Sequence, residues 1–261
     1  MASPAGRRDA APPGPPAFSD RAEAGVLLGA ALRDILGDTR FNAPERRYSE
    51  RLLAGTGASA ISQEDAPGGR PAVFAIPRGG VAVAVGVARA LNAPLDVLMV
   101  RKIGHPAAPE LGLGAIAEDG AGGAAEPYFD ADMLNRVGLT RDDLAEVVER
   151  ERAELARRVA LYTTGETPRP GVSWPVILVD DGLATGVTAR AALRALRARG
   201  AARPVLAVPV AAEAAVDAIE KENGEVVTLV TPRRFRSVGE WYADFGQLTD
   251  ADVLTLLAAV P

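Results

Sequence analysis

The sequence predicts an α/β fold, a Rossmann-like, mostly parallel sheet flanked by helices. Three observations predict it. Short apolar, β-prone runs alternate with helix-like runs from residue 72 to about 230, the pattern of a parallel sheet with crossover helices. Two of these alternations share one order of parts, apolar strand then glycine turn then helix, at 72–91 and 176–199. Three strand ends carry concentrated polar chemistry, Arg78-Gly79-Gly80, Arg101-Lys102 and Asp180-Asp181, and sheets of this kind place their sites at the carboxyl ends of strands.

The elements follow in order. Residues 1–17 are Ala, Pro, Gly, Ser and Arg with almost nothing to bury, and read as a disordered tail. Ser19 to Leu36 reads as a helix capped by Ser19 or Asp20, with Ala24, Val26, Leu27, Ala31, Leu32 and Ile35 available for an apolar stripe. Residues 38–70 read as a loop or insertion with a possible short helix at Arg46–Leu53. Ala72–Ile76 is a buried strand, Val81–Leu91 a helix, and Leu95–Val100 the next strand. Ile103–Leu113, punctuated by Gly and Pro, reads as a mobile loop, Gly114–Ala117 as a short strand, and Glu118–Gly123 as a turn. Thr140, with Asp143 three residues on, marks the start of a helix reaching about Leu161. The charges of that helix, including Glu149, Arg150, Glu151 and Arg152, read as a solvated face or a dimer contact. Thr163–Gly171 is a linker. A strand at Val176–Val179, a helix at Ala189–Arg199, a strand at Val205–Pro209, a helix at Glu213–Glu222 and a strand at Val226–Val230 complete the core. The tail from Thr231 is irregular, then helical after Thr249.

Bulk properties exclude several function classes. The 48% hydrophobic and 24% charged content suits a soluble globular domain. A net charge of −5 argues against a dedicated nucleic-acid binder. The absence of cysteine removes disulfides, thiolate metal sites and thiol catalysis. The most apolar region, Ala72–Leu91, is interrupted by Pro77, Arg78 and Gly79-Gly80, so it is no membrane span, and Arg7-Arg8 has no apolar run after it, so it is no secretory signal. A cytoplasmic location is the expectation.

The chemistry concentrates in Val176-Ile-Leu-Val-Asp-Asp-Gly-Leu-Ala-Thr-Gly-Val-Thr188. Gly182, Ala184 and Gly186 leave the backbone sterically bare, so the N–H groups around them and those of Val187 and Thr188 can face an anion at a helix N-terminus. Thr185 and Thr188 add hydroxyl donors. The loop lacks the Gly-Lys-Thr/Ser of a Walker A motif and the Gly-x-Gly-x-x-Gly of a dinucleotide site. Asp180 and Asp181 repel a phosphate unless they face something else: vicinal sugar hydroxyls, or Mg²⁺ directly or through water. A sugar phosphate satisfies both halves of the motif.

These residues resemble the phosphoribosyl pyrophosphate (PRPP) signature of the type I phosphoribosyltransferases, which is matched throughout 176–188. Phe18–Leu32, Pro77–Val81, Val100–Gly104 with Pro109-Glu110 and Gly114-Ala115, and Val238–Phe245 with Gln247 and Asp250 are similar to a bacterial subgroup of predicted phosphoribosyltransferases with an undefined acceptor. The resemblance covers most of 18–255. It implies one phosphoribosyltransferase domain over 18–261, with a small hood from the N-terminal part and from about 231–261. It implies that Asp180 and Asp181 contact the ribose hydroxyls and order Mg²⁺, and that Gly182 and Ala184 to Thr188 bind the 5-phosphate. Pro77-Arg78-Gly79-Gly80 stands where the family keeps its pyrophosphate loop, often with a cis peptide. Arg101 and Lys102 stand where an Arg-Lys pair reaches the pyrophosphate, and the segment after them where a flexible loop closes. The implied reaction joins the phosphoribosyl group to a nitrogen acceptor, a nucleobase or related small molecule, with Arg78, Lys102, Asp180 and Asp181 as the catalytic set. A homodimer is implied too.

The acceptor side is less specific. Phe235, Trp241 and Tyr242 are aromatic candidates for stacking on a base, with Asp244 or Gln247 for its polar edge. The bland alternatives are core aromatics, solvated charges for Arg101-Lys102, and a surface role for His105 and Glu110. Two other readings of the whole compete with an enzyme of this kind: a PRPP-binding regulator without chemistry, and a hydrolase, for which no positioned base is visible.

Overall fold

Strand sequences such as Val176–Val179 have no polar face, so they fit only a sheet covered on both sides. The computed structural model, which describes residues 16–37, 71–162, 175–222 and 224–260, places them there. In chain order the described elements are α1 (Arg21–Gly37), β1 (Ala72–Ala75), α2 (Gly79–Leu91), β2 (Leu95–Val97), β3 (Val100–His105), β4 (Ala108–Ala117), β5 (Tyr128–Phe129), α3 (Ala131–Val137), α4 (Ala145–Tyr162), β6 (Val176–Val179), α5 (Val187–Ala198), β7 (Val205–Val210), α6 (Glu213–Glu220), β8 (Glu225–Val230) and α7 (Asp250–Ala258). Short 3-10 turns lie at Asp142–Leu144 and Val238–Trp241. The expected tail, bar its last two residues, the expected insertion at 38–70 with its helix at Arg46–Leu53, and the linker Thr163–Gly171 lie outside the described residues.

The main sheet is wholly parallel in the order β2-β1-β6-β7-β8. Alternate side chains enter two cores. Val73, Ala75, Ile177 and Val179 pack with Leu28 of α1 and Val81 and Val87 of α2. Phe74, Val176, Leu178 and Leu206 pack with Leu193 and Leu196 of α5 and Ile219 of α6. From β1 the chain moves outward through α2 to β2; from β6 it moves the opposite way through α5, β7 and α6 to β8. The reversal puts a topological switch point between the carboxyl ends of β1 and β6, where open sheets bind ligands.

Three expectations are corrected. Leu95–Val100 is not one strand: β2 ends at Val97, and β3 begins a separate antiparallel sheet, β3-β4-β5. Ile103–Leu113 is not a loop but most of a hairpin, β3 paired with β4, with register shifts on both sides of Gly104. The Gly and Pro that read as loop signals serve a bulge, a common role for them in strands. A Cβ at Gly104 would stand 2.2 Å from the Pro109 carbonyl oxygen, so only glycine lets the two strands cross there. The expected Thr140 start is present: Asp143 N donates to Thr140 Oγ1 at 3.3 Å, and Thr140 N donates to Asp143 Oδ2 at 2.7 Å. The solvated reading of α4 fails at Glu151, which is buried. Among the described residues, no helix is long and apolar enough to cross a membrane.

Glu225 opens β8 in a buried position, 2.7 Å from Arg203 Nη2. Burial outweighs the arginine and pushes its carboxyl up to about 7. A raised carboxyl favours the protonated fold, so this contribution to stability is fully present below the ordinary value near 4.5 and is lost as pH rises through 7. Glu225→Gln is therefore expected to match the wild type at pH 4 and to exceed it by up to about 3 kcal/mol at pH 8. Melting curves of both proteins across that range check it, and parallel curves would sink the assignment.

Candidate active site

The two loops of the switch point are built against each other. After β1 the chain turns through a cis peptide bond between Pro77 and Arg78, and α2 begins at Gly79. After β6 it reaches Asp180 and Asp181. A Cβ on Gly79 would stand 1.8 Å from Asp181 Oδ2, and one on Gly80 2.9 Å from Asp180 Cα. The glycine pair is thus what lets the first loop lie on the acidic edge of the second.

Burial raises the carboxyl of Asp180 well above the ordinary range, and the adjacent Asp181 charge raises it further. Asp181 is also raised, by burial, and is pulled back by Arg21. Arg21 Nε donates to Asp181 Oδ2 at 2.8 Å, its Nη1 donates to the Gly246 carbonyl at 2.8 Å, and its guanidinium stacks 3.7 Å over the Phe245 ring. Tyr242 is buried, and its hydroxyl donates to the Asp181 carbonyl at 2.6 Å. The segments that carry these groups are themselves paired: Phe18 N donates to Trp241 O at 3.0 Å, Ala243 N to Phe18 O at 2.8 Å and Asp244 N to Ser19 O at 2.8 Å.

The anion loop is held at Gly182 and Leu183 and exposed at Ala184 and Thr185. Leu183 extends the sheet, donating from N to Val210 O at 2.9 Å and accepting from Ala212 N at 2.8 Å. Gly182 packs on Val238, where a Cβ would stand 2.5 Å from the valine Cγ1. Ala184 and Thr185 are exposed. Gly186 adopts a left-handed φ of 75° as N-cap of α5, and no side chain caps the helix. The N–H groups of the first turn, including those of Val187 and Thr188, therefore have no capping side chain and lie at the positive end of the helix dipole, the arrangement that suits an anion.

The basic residues divide. The Arg78 side chain turns toward α7, with Nη1 3.9 Å from Asp250 Oδ1, and Tyr162 donates to the same Asp250 oxygen at 2.5 Å. Arg101, expected at a pyrophosphate, is engaged elsewhere: its Nε and Nη2 donate to Glu151 of α4 at 3.0 and 2.8 Å. Lys102 donates to the Glu110 carbonyl across the hairpin at 2.8 Å. His105 closes the hairpin turn, its Nδ1 accepting from Ala107 N at 3.0 Å.

No family model matches the chain. Over 212 residues it is 40% identical to a Mycobacterium tuberculosis protein, found in two strains, that carries the provisional name phosphoribosyl transferase; the match covers 81% of this chain and 44% of that protein. The chain thus spans less than half the length of these relatives. A Thermus thermophilus protein of known crystal structure is 34% identical, with a TM-score of 0.62 over 93% of this chain and 98% of that one. These relatives bear out the chain's resemblance to the phosphoribosyltransferases.

The acceptor candidates separate. Tyr242 is not a stacking platform: its ring lies between Phe18 and Phe245, at 5.4 and 5.1 Å, and its hydroxyl braces the acidic edge. Phe235 and Trp241 are partly buried against the core. The Asp244 carboxylate accepts from Gly246 N at 2.9 Å in its own turn, and Gln247 is exposed. The residue the sequence reading passed over is Arg21. Its signal was present, a basic residue in the first turn of α1, where the macrodipole favours acids such as Glu23. Tyr162 and Glu151 were also passed over; both sit at helix positions that read as ordinary.

Proposed function

We propose that the chain transfers the 5-phosphoribosyl group of PRPP to a nitrogen acceptor, a nucleobase or related small molecule, and releases pyrophosphate. The observation that carries this is the seating of Gly79-Gly80 on Asp180-Asp181, because it brings a cation-bearing loop, a pair of acids and a helix-terminal anion cradle to one switch point. A molecule with two phosphate ends and a diol between them matches all three.

In the reaction the acceptor nitrogen's lone pair forms the bond to ribose C1 while the bond from C1 to the pyrophosphate oxygen breaks, and the electron pair leaves with pyrophosphate. The proton released from nitrogen passes to water or pyrophosphate. Asp180 and Asp181 orient the ribose through its hydroxyls and favour the positive charge that builds on the ring. The Gly182–Thr188 loop fixes the 5-phosphate. Arg78, Lys102 and the N–H groups of Gly79 and Gly80 face the departing pyrophosphate, and groups aimed at developing charge act most in such a step. Lys102 reaches it once its exposed bond to the Glu110 carbonyl is exchanged.

Mg²⁺ fits this arrangement as a partner of the substrate. Among the described residues no group of three or more His, Cys, Asp or Glu forms a cation site. Two carboxylates, one of them on Arg21, suit an ion held by Asp180, by Asp181 through water and mostly by substrate oxygens, the usual manner of Mg²⁺. Bound there, it would supply charge neutralisation to the leaving pyrophosphate.

A second reading, a PRPP-binding regulator without chemistry, is favoured by one observation, the commitment of Arg101 to Glu151. The two share a first test. PRPP with Mg²⁺ at about 100 times its Kd stabilises by about 2.7 kcal/mol, roughly 5–10 °C in melting temperature for a domain of this size. Asp180→Asn combined with Asp181→Asn is expected to abolish that shift, and an unchanged shift would refute the ribose role. Screening nucleobases and small amines for pyrophosphate release then separates enzyme from regulator.

A further inference from the structure

Register decides which face of the β3–β4 hairpin each cation takes. Lys102 pairs with Ala115, which pairs in turn with Tyr128. Directly paired residues share one face of a sheet, and Ala115 and Tyr128 pack there with Ala191, Ala192 and Leu193 of α5. Lys102 therefore lies on the face that holds α5, the helix of the anion cradle. Arg101 pairs with Ile116, and Ile103, Leu113 and Ile116 pack with Val147, Val148 and Leu155 of α4. Arg101 therefore lies on the opposite face, where its Nε and Nη2 both donate to Glu151 Oε2. We propose that Glu151 is a positioning residue for Lys102: by holding Arg101 on the α4 face, it fixes the strand from which Lys102 serves the pyrophosphate end of PRPP on the other.

Around the Arg101–Glu151 pair the packing of β3 on α4 is apolar. A buried ion pair stabilises a fold no better than well-packed apolar side chains of like volume. What this pair adds is direction, because two hydrogen bonds to one carboxylate oxygen define one placement of β3 on α4. Arg150 contacts the other oxygen, Oε1, at 3.3 Å, from a side chain that is 65% exposed, so Arg101 is the principal partner. Ile103, fully buried, anchors the same face two residues on. Both neighbours of Lys102 are thus held in place, just before the register shifts at Gly104. The tip of Lys102 is less constrained. The residue is exposed, its stem passes Gly112, where a Cβ would stand 3.1 Å from Lys102 Cδ, and its Nζ donates to the Glu110 carbonyl at 2.8 Å. A fixed root and a free tip suit a cation that turns to an arriving anion. Direct use of Arg101 would require its guanidinium to leave a buried carboxylate and cross to the other face of the hairpin.

The inference rests on the reading of a PRPP site, and calorimetry of the full chain with Mg²⁺ tests the two separately. PRPP and ribose 5-phosphate are the probes, because only PRPP has the pyrophosphate end. Glu151→Gln and Arg101→Gln are each expected to weaken PRPP binding about fivefold, and the double variant no further, since the two residues act as one pair. Ribose 5-phosphate should bind all three as it binds the wild type, a selectivity that general loosening of the fold would not produce. In a Lys102→Gln chain, itself weakened toward PRPP, Glu151→Gln should have no added effect. Exchanging the pair, Arg101→Glu with Glu151→Arg, should return PRPP binding to within about twofold of the wild type, although no arginine then stands at position 101. Melting curves check that each variant is folded. If Arg101 itself served the pyrophosphate, Glu151→Gln would free it and leave PRPP binding unchanged or tighter. That result, additive losses in the double variant, or an equal loss of ribose 5-phosphate would each overturn the proposal. A wild type that binds neither probe would overturn the site reading, and the inference with it.

Discussion

Gly79→Ala is expected to remove PRPP binding and to destabilise the fold by about 3 kcal/mol. The added methyl would stand 1.8 Å from Asp181 Oδ2, a distance no packed structure tolerates. The obstacle is not the end of a free side chain, because Arg21 Nε holds that same oxygen at 2.8 Å. Either the Pro77–Gly80 loop lifts off the acids or the Arg21–Asp181 pair opens, and both outcomes combine overpacking with a weakened buried ion pair. Urea denaturation gives the stability, and the PRPP-induced melting shift gives the binding. The unaltered chain is the control. A Gly79→Ala chain as stable and as responsive as that control would show that the two loops do not touch in solution.

Arg21→Leu is expected to be as damaging, for an electrostatic reason. The Arg21 and Asp181 side chains are only 12% and 17% exposed. Removing one partner of such a pair leaves the other charge buried without compensation, which costs about 3–5 kcal/mol; loss of the stack on Phe245 adds to it. The double change Arg21→Leu with Asp181→Asn should recover at least half of that loss, because no unpaired charge then remains. Loosening should concentrate at 242–246, read as faster amide exchange at Ala243 and Asp244, whose N–H groups bond to Phe18 and Ser19. An Arg21→Leu chain within about 0.5 kcal/mol of the wild type would sink this account.

The parts of the site that were legible in the sequence are those confined to one short stretch. Val176–Thr188 contains its own strand, its own acids, its own glycine turn and its own helix start, so local chemistry was enough to read it. The Thr249 start of α7 is legible on the same grounds, and the structure adds the reciprocal box with Asp252. Where reading failed, the cause was non-local. The Gly and Pro of 103–113 have the same local signature in a loop and in a bulged hairpin, and only pairing with a second strand distinguishes the two. Leu95–Val100 carries no mark of the point at which the chain leaves one sheet for another. Tyr242 looks like a stacking aromatic until its hydroxyl is seen to reach the Asp181 carbonyl.

By itself the sequence determined the alternation of elements, the buried central strands and the anion cradle after β6, because period, propensity and turn chemistry act over a few residues. Tertiary structure alone decided which charges meet. Arg21 reaches Asp181 across 160 residues and Arg101 reaches Glu151 across 50, and the glycines at 79 and 80 acquire their meaning only from the acids packed against them. Ion pairs and close contacts depend on distance in space, to which residue order contributes only through the completed fold.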